Sequence, residues 1–261
     1  MIHIKTVTVG DMQVQISGAG PALICVHGFT TTSEFWKEQV ELFSRNYKLI
    51  RPDLPGHGKS PQPRERKYTI DAYVGDLELL FSQLDIKTAV LIGLSMGGTI
   101  AQQFALHNPK LLHGLVLVGA TAHGLGPDVN ADTVINAIGK FGIAAASQNV
   151  IEQSFGSGAP RALIEFAKKE VVRTPEFVAR DAIKSLNQAD LRSELKAISA
   201  PTLVIVGDED VITPPSESQA LATEIPHAEL AIISKAGHFP MLEQPAVFNR
   251  ALKMFLERLD R

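Results

Sequence analysis

The chain has 261 residues, 45% hydrophobic and 20% charged, as in a globular protein with one large-cored domain, or one domain carrying a modest insertion. Its net charge of −3 gives no long-range attraction to nucleic acid or to anionic membranes, so we expect neither as a partner. The single cysteine, Cys25, excludes an internal disulfide and any zinc site built on cysteine pairs.

The amino terminus does not have the pattern of a targeting segment. Residues 1–6 alternate apolar and polar side chains, as a half-exposed strand does, and lack a basic stretch followed by a long apolar one. No apolar run approaches the roughly 20 residues that a membrane-spanning helix needs. We therefore expect a cytoplasmic protein, and nothing in the sequence indicates its oligomeric state.

The predicted strands begin with a hairpin and continue as short apolar runs. Residues 2–17 form two segments around the turn Gly10-Asp11, which predicts the hairpin. Most of the later runs are continuously apolar, as strands buried on both faces are. They are Ala22–Val26, Lys48–Arg51, Ala89–Ile92, Leu115–Val118, Thr202–Val206 and Leu230–Ile233.

Amphipathic helical stretches alternate with these strands. Phe35–Phe43 is the first, Ile70–Leu84 follows the cap-like Thr69, and Thr99–His107 ends at Asn108-Pro109. Alternation of strands and helices predicts the α/β class, with a mostly parallel, twisted sheet of about eight strands and helices on both faces.

One long segment interrupts this alternation. Residues 121–195 contain no clear buried-strand pattern and instead carry helical patterns at Ala131–Lys140, Ala144–Ser154 and Arg161–Val171. An insertion of this length would leave the sheet and lie over the edge formed by the carboxyl ends of the strands, where α/β proteins bind ligands. We therefore expect a core domain of residues 1–120 and 196–261, and a helical cap of residues 121–195 over the active site.

The candidate nucleophile is Ser95, in the pattern Gly93-Leu94-Ser95-Met96-Gly97. A buried strand precedes this short pattern and a helix follows it, which is the setting of a nucleophile elbow. A serine on such a turn projects its hydroxyl above the sheet, and the flanking glycines let strand and helix approach closely. The same residues could form an ordinary strand-to-helix turn, but the context favours a catalytic serine.

A serine hydroxyl needs a base to remove its proton and an acid to orient that base. His238 follows a glycine on the loop after the last strand, and we expect it to be the base. Two aspartates follow the preceding strand, and we prefer Asp210, three residues before Thr213, to Asp208. The order serine, acid, histidine is that of α/β-hydrolase triads.

Two backbone N–H groups are candidates for the oxyanion hole. One belongs to Met96, directly after the serine, and the other to Phe29, in the loop after the third strand. His27 in that loop is a candidate second base, but a histidine that braces the loop by hydrogen bonds is the simpler interpretation. Trp36, Phe141 and Phe155 are candidates for an apolar substrate pocket, although aromatic residues at helical spacing more often belong to a core.

These motifs together resemble the α/β-hydrolase superfamily along nearly the whole chain. In that family the acid is the aspartate a few residues before Thr-Pro, which supports Asp210, and the loop Asp53–Ser60 is structural. The matching motifs are His27-Gly28-Phe29, Asp53–Ser60, Gly93–Gly98, Gly207–Asp210 with Thr213-Pro214, and Gly237-His238.

Within the superfamily, the chain looks most like 3-oxoadipate enol-lactonases and related esterases. The similarity lies in Gly93–Gln103 and in the cap stretch Ile143–Phe155. The pair His27-Gly28 departs from the Asn-Ser of many such lactonases and is common among esterases and cofactor-free haloperoxidases. The difference concerns the substrate rather than the mechanism.

The resemblance implies a serine hydrolase that cleaves a small carboxylic ester or lactone through an acyl-enzyme, with no cofactor and no metal. Other members of this fold leave three alternatives open. They are a cofactor-free oxygenase or haloperoxidase-like enzyme, a carbon–carbon bond hydrolase, and a weakly catalytic ligand receptor.

Overall fold

The computed structural model describes residues 2–125 and 130–259. Its centre is an eight-stranded sheet with the strand order β1-β2-β4-β3-β5-β6-β7-β8. The strands are β1 (Ile4–Val9), β2 (Met12–Ser17), β3 (Ala22–Val26), β4 (Lys48–Asp53), β5 (Ala89–Leu94), β6 (Leu112–Val118), β7 (Thr202–Gly207) and β8 (Glu229–Ile233).

The sheet is parallel except at one edge. Strands β3 to β8 pair in parallel, whereas β2 is antiparallel to both β1 and β4. The predicted hairpin accounts for this edge, since β1 and β2 are joined at Gly10-Asp11. The prediction of a mostly parallel sheet of about eight strands is confirmed.

Helices cover both faces of the sheet. The α-helices are α1 (Val40–Phe43), α2 (Ile70–Gln83), α3 (Met96–His107), α4 (Ala131–Gln153), α5 (Arg161–Val171), α6 (Glu176–Gln188), α7 (Pro215–Glu224), α8 (Pro240–Glu243) and α9 (Pro245–Leu259). Short 3-10 helices lie at Ser33–Gln39, Pro109–Leu111 and Leu195–Ala197.

Strand β3 shows why the sheet needs cover on both sides. All five of its residues are buried, and they alternate between two hydrophobic clusters. Ile24 and Val26 join the cluster that includes α2 and α3, whereas Leu23 and Cys25 join the one that includes α9. A continuous apolar run is therefore the pattern that a central strand requires.

The segment between β6 and β7 consists of helices α4, α5 and α6, and both α5 and α6 pack against α4. The two predicted helical patterns in residues 131–154 belong to one helix with a sharp bend. Gly142 bends it, with φ 75° and ψ 164°, values outside the helical range. The sequence pattern did not reveal α6, α7 or α9 as separate helices.

Candidate active site

Four loops meet at the carboxyl edge of the parallel strands. Ser95 follows β5, Gly119 follows β6, Asp210 lies three residues beyond β7 and His238 lies five residues beyond β8. The strand register aligns these ends. Leu94 of β5 pairs with Val118 of β6, Val118 pairs with Ile205 of β7, and Gly207 of β7 pairs with Ile233 of β8. Residues distant in the chain are thus brought to one edge of the sheet.

Ser95 occupies a strained turn between β5 and α3. Its backbone has φ 52° and ψ −117°, a combination that side-chain-bearing residues adopt rarely. The turn is fixed by hydrogen bonds from Ser95 N to Val118 O, at 2.9 Å, and from Gly98 N to Ser95 O, at 2.7 Å. The side chain is partly exposed and lines a cavity above the sheet.

The glycines around Ser95 are required by close backbone packing. A Cβ on Gly93 would lie 2.2 Å from the carbonyl oxygen of Gly97, and a Cβ on Gly97 would lie 2.4 Å from that of His27. A Cβ on Gly28 would lie 3.2 Å from the Cβ of Ser95. The loop after β3 therefore lies directly against the serine, which only glycine permits.

Asp210 and His238 form a buried hydrogen-bonded pair. His238 Nδ1 lies 2.8 Å from Asp210 Oδ2, and the exposed fractions of the two side chains are 6% and 0%. The other carboxylate oxygen accepts the N–H groups of Ile212 and Thr213, each at 2.9 Å, and Thr213 Oγ1 donates to Oδ2 at 2.9 Å. All these contacts fix the orientation of the carboxylate against the imidazole.

The environment of Asp210 favours its charged form. Burial raises the pKa of this carboxyl, but the positive charge of a protonated His238 and the hydrogen bonds from His238 and Thr213 outweigh burial and hold the pKa below its ordinary value. A charged Asp210 keeps the proton of His238 on Nδ1. The other ring nitrogen, Nε2, is then the basic one.

The neighbouring acidic residues, Asp208 and Glu209, bind backbone N–H groups rather than the imidazole of His238. Asp208 Oδ1 accepts the N–H of Lys235 at 2.7 Å, and Glu209 Oε2 accepts that of Ser157 at 2.5 Å. Of the two candidate aspartates, the structure places Asp210 against the histidine.

The loop after β3 presents a backbone donor beside the serine. Gly28 N donates to Thr31 Oγ1 at 2.8 Å, which folds the loop into a tight turn. Neither Phe29 N nor Met96 N has an acceptor among the residues that the structure describes. Met96 is the first residue of α3, where the helix dipole favours negative charge.

His27 braces this loop. Its Nδ1 donates to Gly28 O at 2.8 Å and its Nε2 accepts the N–H of Leu54 at 2.9 Å. Burial lowers the pKa of His27 to about 4, so the ring is neutral near pH 7. With both nitrogens engaged, His27 is a structural residue and not a second base.

A cavity of about 310 Å³ opens above Ser95 and His238. One end of the cavity is formed by these two side chains with residues 28–31 and Thr213. Apolar side chains from α4 and α6 form much of the remaining wall. They are Val134, Ile138, Ile143, Val150 and Ile151 on α4, and Ile183 and Leu186 on α6.

The described residues that line the cavity do not include Trp36, Phe141 or Phe155, which corrects the expectation for these aromatics. Trp36 is fully buried beneath the sheet face that α9 covers, where it packs on Phe248. Phe155 is in the same core against Phe239, and Phe141 is 60% exposed beside the bend in α4. Periodicity identified them as apolar positions, but the apolar wall formed by α4 and α6 is aliphatic, and the aromatic residues that do line the cavity are Phe29 and Phe239.

The sequence did not reveal the role of Glu243. Its carboxylate accepts backbone N–H groups from Gly237 and Phe239, at 3.0 and 3.2 Å, on either side of His238. Its second oxygen accepts the N–H of Gly156, at 2.7 Å, in the segment after α4. A usable signal was present, because Glu243 follows the Gly237-His238 motif within the same short loop and helix.

Gly119 was also missed. Its φ is +48°, and a Cβ there would lie 3.0 Å from His238 Nδ1 and 3.2 Å from Asp210 Oδ2. A glycine directly after a strand that ends at this edge was the available signal.

Neither a membrane span nor a metal cluster is found in residues 2–125 and 130–259. Helices in these ranges are too short or too polar to cross a bilayer. The ranges also contain no group of three or more histidine, cysteine or acidic side chains placed to hold a metal ion.

The chain is similar to known hydrolases over at least nine-tenths of its length. It is 29% identical over 272 residues to 3-oxoadipate enol-lactonase 2 of Acinetobacter baylyi, covering 100% of this chain and 99% of the relative. It is also 29% identical over 251 residues to the pimeloyl-[acyl-carrier protein] methyl ester esterase of Nitrosomonas europaea, covering 91% and 96%.

The fold leads to the same group of proteins. The crystal structure of a thermophilic esterase from Thermogutta terrifontis, with malate bound, superimposes with a TM-score of 0.88 at 29% identity, covering 98% of this chain and 99% of that one. The model of the alpha/beta hydrolase family matches residues 23–251, from β3 into α9. The chain belongs to the alpha/beta hydrolase family.

Proposed function

We propose that the protein hydrolyses a small carboxylic ester or lactone through an acyl-enzyme on Ser95. The observation that carries the proposal is the meeting of a strained serine turn with a buried histidine–aspartate pair at one cavity. The names of the relatives support it, since one is an enol-lactonase and the other a methyl ester esterase.

In the first half of the reaction, Ser95 Oγ attacks the carbonyl carbon of the ester while His238 Nε2 takes its proton. The N–H groups of Phe29 and Met96 donate hydrogen bonds to the oxyanion that forms. The bond to the alkoxy oxygen then breaks, and His238 gives its proton to that oxygen. In a lactone the leaving alkoxide remains part of the acyl chain.

In the second half, a water molecule attacks the acyl-enzyme. His238 takes a proton from this water and returns it to Ser95 Oγ when the carbon–oxygen bond to the serine breaks. Asp210 remains charged throughout and stabilises the imidazolium form of His238 in both halves.

We further propose that residues 121–195 act as a cap over this site. Helices α4 and α6 of this segment supply much of the apolar lining of the cavity. The segment is fastened to the rest of the chain by hydrogen bonds from Thr32 Oγ1 to Glu170, at 2.8 Å, and from Ile70 N to Ser185 Oγ, at 3.0 Å.

The test of the nucleophile is fluorophosphonate labelling combined with turnover of p-nitrophenyl esters and small lactones. We expect labelling at Ser95 in the wild type and a fall in kcat of several orders of magnitude in Ser95→Ala, because the acyl-enzyme cannot form. Circular dichroism and thermal unfolding provide the control that the variant is folded. Turnover close to wild type in Ser95→Ala would overturn the assignment.

A further inference from the structure

Among the described residues, the lining of the cavity above Ser95 provides no counter-charge for a substrate anion. Its lining in the described residues includes no lysine, arginine, aspartate or glutamate, and His238 is its only titratable side chain. The sequence of residues 126–129 is Gly-Pro-Asp-Val, which contains no lysine or arginine. A carboxylate that entered the apolar part of the cavity would lose its hydration without gaining an ionic partner.

The polar side chains of the lining are neutral, so none of them replaces an ionic partner; Thr30 and Gln153 offer uncharged donors only, and three of the hydroxyls are bonded within the protein. The hydroxyls of Ser147 and Ser154 donate to the carbonyl oxygens of Ile143 and Val150 in their own helix, each at 2.7 Å. Thr213 Oγ1 donates to Asp210 at 2.9 Å. These hydroxyl protons are therefore already used within the protein.

The buried charge that contacts His238 is also unfavourable to an anion. Asp210 is buried behind His238, and its pKa lies below the ordinary value because the contacts with His238 and Thr213 outweigh the effect of burial. A second negative charge in the same low-dielectric region would be repelled by it.

The aliphatic wall, in contrast, matches an uncharged chain. Ile138, Ile183 and Leu186 are almost fully buried yet line the cavity, so their side chains form a continuous apolar surface between α4 and α6. The other end is formed by the polar side chains of Ser95, His238 and Thr213, whereas the polar residues on or just after α4 are limited to Ser147, Gln153 and Ser154. The cavity is thus polar where the ester would react and apolar where its chain would lie.

We propose that the substrate of this site is a neutral ester or lactone with an unbranched or lightly branched apolar chain, and that the cavity rejects chains ending in a carboxylate. The proposal rests on the function proposed above. It predicts that this protein is a poor catalyst for the hydrolysis of 3-oxoadipate enol-lactone, because that lactone carries a free carboxylate.

The first experiment compares two esters that differ at the chain end. We expect kcat/KM for p-nitrophenyl hexanoate to exceed that for the mono-p-nitrophenyl ester of adipic acid by roughly 100-fold at pH 7.5, since only the second buries an unpaired charge. Among the acetate, butyrate and hexanoate esters, kcat/KM should rise roughly fourfold per added methylene. A preference of the wild type for hexanoate below tenfold would overturn the proposal.

A specificity switch provides the second test. Val134 lies on the cavity wall at half-buried exposure, so a long side chain can be accommodated there. Val134→Arg should raise kcat/KM for the adipate ester at least tenfold relative to hexanoate, whereas the uncharged Val134→Gln should leave the ratio within threefold of wild type. An equal change in both variants would show that size, not charge, controls the ratio, and would count against the proposal.

The two proposals fail in distinguishable ways. If Ser95 is not labelled by a neutral fluorophosphonate and neither ester is cleaved, the hydrolase function itself is wrong. If Ser95 is labelled but turnover is too slow to measure, the two esters are compared as competitors of labelling. Protection by hexanoate alone supports the neutral-chain proposal, and equal or better protection by the adipate ester overturns it.

Discussion

At the scale of single residues, the site depends on which of two nearby aspartates reaches the histidine. Asp208 and Asp210 are separated by one residue, yet Asp208 accepts a backbone N–H from Lys235 and Asp210 binds the imidazole of His238. The turn from Asp210 to Thr213 is what aims the second carboxylate inward, because two backbone N–H groups hold one of its oxygens.

Asparagine substitutions at the two positions therefore form a matched pair. Asp210→Asn should lower kcat about 10⁴-fold, because an amide no longer holds the proton of His238 on Nδ1 and no longer stabilises the imidazolium. Asp208→Asn should stay within about threefold of wild type, since its amide oxygen still accepts the N–H of Lys235. Steady-state kinetics on one p-nitrophenyl ester measures both, and similar losses in the two variants would contradict the assignment of Asp210.

At the scale of secondary-structure elements, the loop that carries His238 is tied to the helical segment between β6 and β7. His238 N donates to Ser154 O at 2.7 Å, at the end of α4. Glu243, in α8, accepts N–H groups from both sides of the histidine and from Gly156. Burial raises the pKa of this carboxyl although the N–H donors oppose the rise. Glu243 is thus the common acceptor for two segments that flank the cavity.

Glu243→Gln tests whether this acceptor positions the histidine. The amide can accept on one atom only, and its NH₂ group opposes a backbone N–H, so we expect kcat to fall about tenfold to 100-fold with little change in KM. The kinetics should be measured well below the unfolding temperature, so that a loss of stability alone would leave kcat unchanged.

Glu209→Gln is the matched control, because Glu209 accepts one N–H from the same segment, at Ser157, but none from the loop of His238. It should retain kcat within about twofold. If Glu243→Gln lowered only the melting temperature, or if both variants lost activity equally, a positioning role for Glu243 would be contradicted.

The helices also show which features local sequence patterns predict and which they do not. Thr69 was predicted to cap α2, and its hydroxyl does accept the N–H of Ala72 at 3.2 Å. The bend at Gly142 divides α4 into the two predicted halves. Helices α6, α7 and α9 were not identified, although α6 and α9 are clearly amphipathic in the structure: their buried residues face one side. A cap signal such as Thr69 can be identified from a few neighbouring residues. The surface on which an amphipathic helix packs is formed by residues distant in the chain, so it cannot be identified in this way.

At the scale of the whole molecule, two buried histidines make the free energy of unfolding depend on pH. His27 and His57 are both fully buried, with ring centroids 4.9 Å apart. Burial lowers the pKa of His27 to about 4 and that of His57 to about 3, and in His57 the proximity of His27 adds to the effect. Both rings are neutral in the folded chain at pH values where an exposed histidine binds a proton.

The sign of the resulting pH dependence follows from proton binding. Below about pH 6.5 the unfolded chain takes up protons on these histidines and the folded chain does not, so the free energy of unfolding falls as pH falls toward about 4. Each histidine should contribute about 2 kcal/mol of loss between pH 7 and pH 5. Above pH 7 neither contributes any pH dependence.

Urea unfolding of His57→Gln at pH 7 and pH 5 measures this contribution. The variant should lose about 2 kcal/mol less than wild type over this interval, because one of the two groups is gone. His107→Gln replaces an exposed histidine and should behave as wild type. Parallel losses in wild type and His57→Gln would show that His57 binds its proton in the folded state.

The sequence by itself determined the class of the fold, the positions of most strands along the chain and the turn that carries Ser95. These features depend on short stretches of sequence, because burial on both faces of a strand requires a continuous apolar run and a close strand-to-helix turn requires glycine. It also named Asp210, His238, Phe29 and Met96 as candidates for the site, whose catalytic roles remain predictions tested by the variants above.

Only the tertiary structure decided which of these groups meet and what surrounds them. It placed Asp210 rather than Asp208 against His238, moved Trp36 and Phe155 into the core, and built the cavity wall from aliphatic residues of α4 and α6. Periodicity shows that a side chain is buried but not what it is buried against. What a side chain packs against depends on contacts between residues far apart in the chain. The same contacts decide that the described residues lining the cavity include no lysine, arginine, aspartate or glutamate.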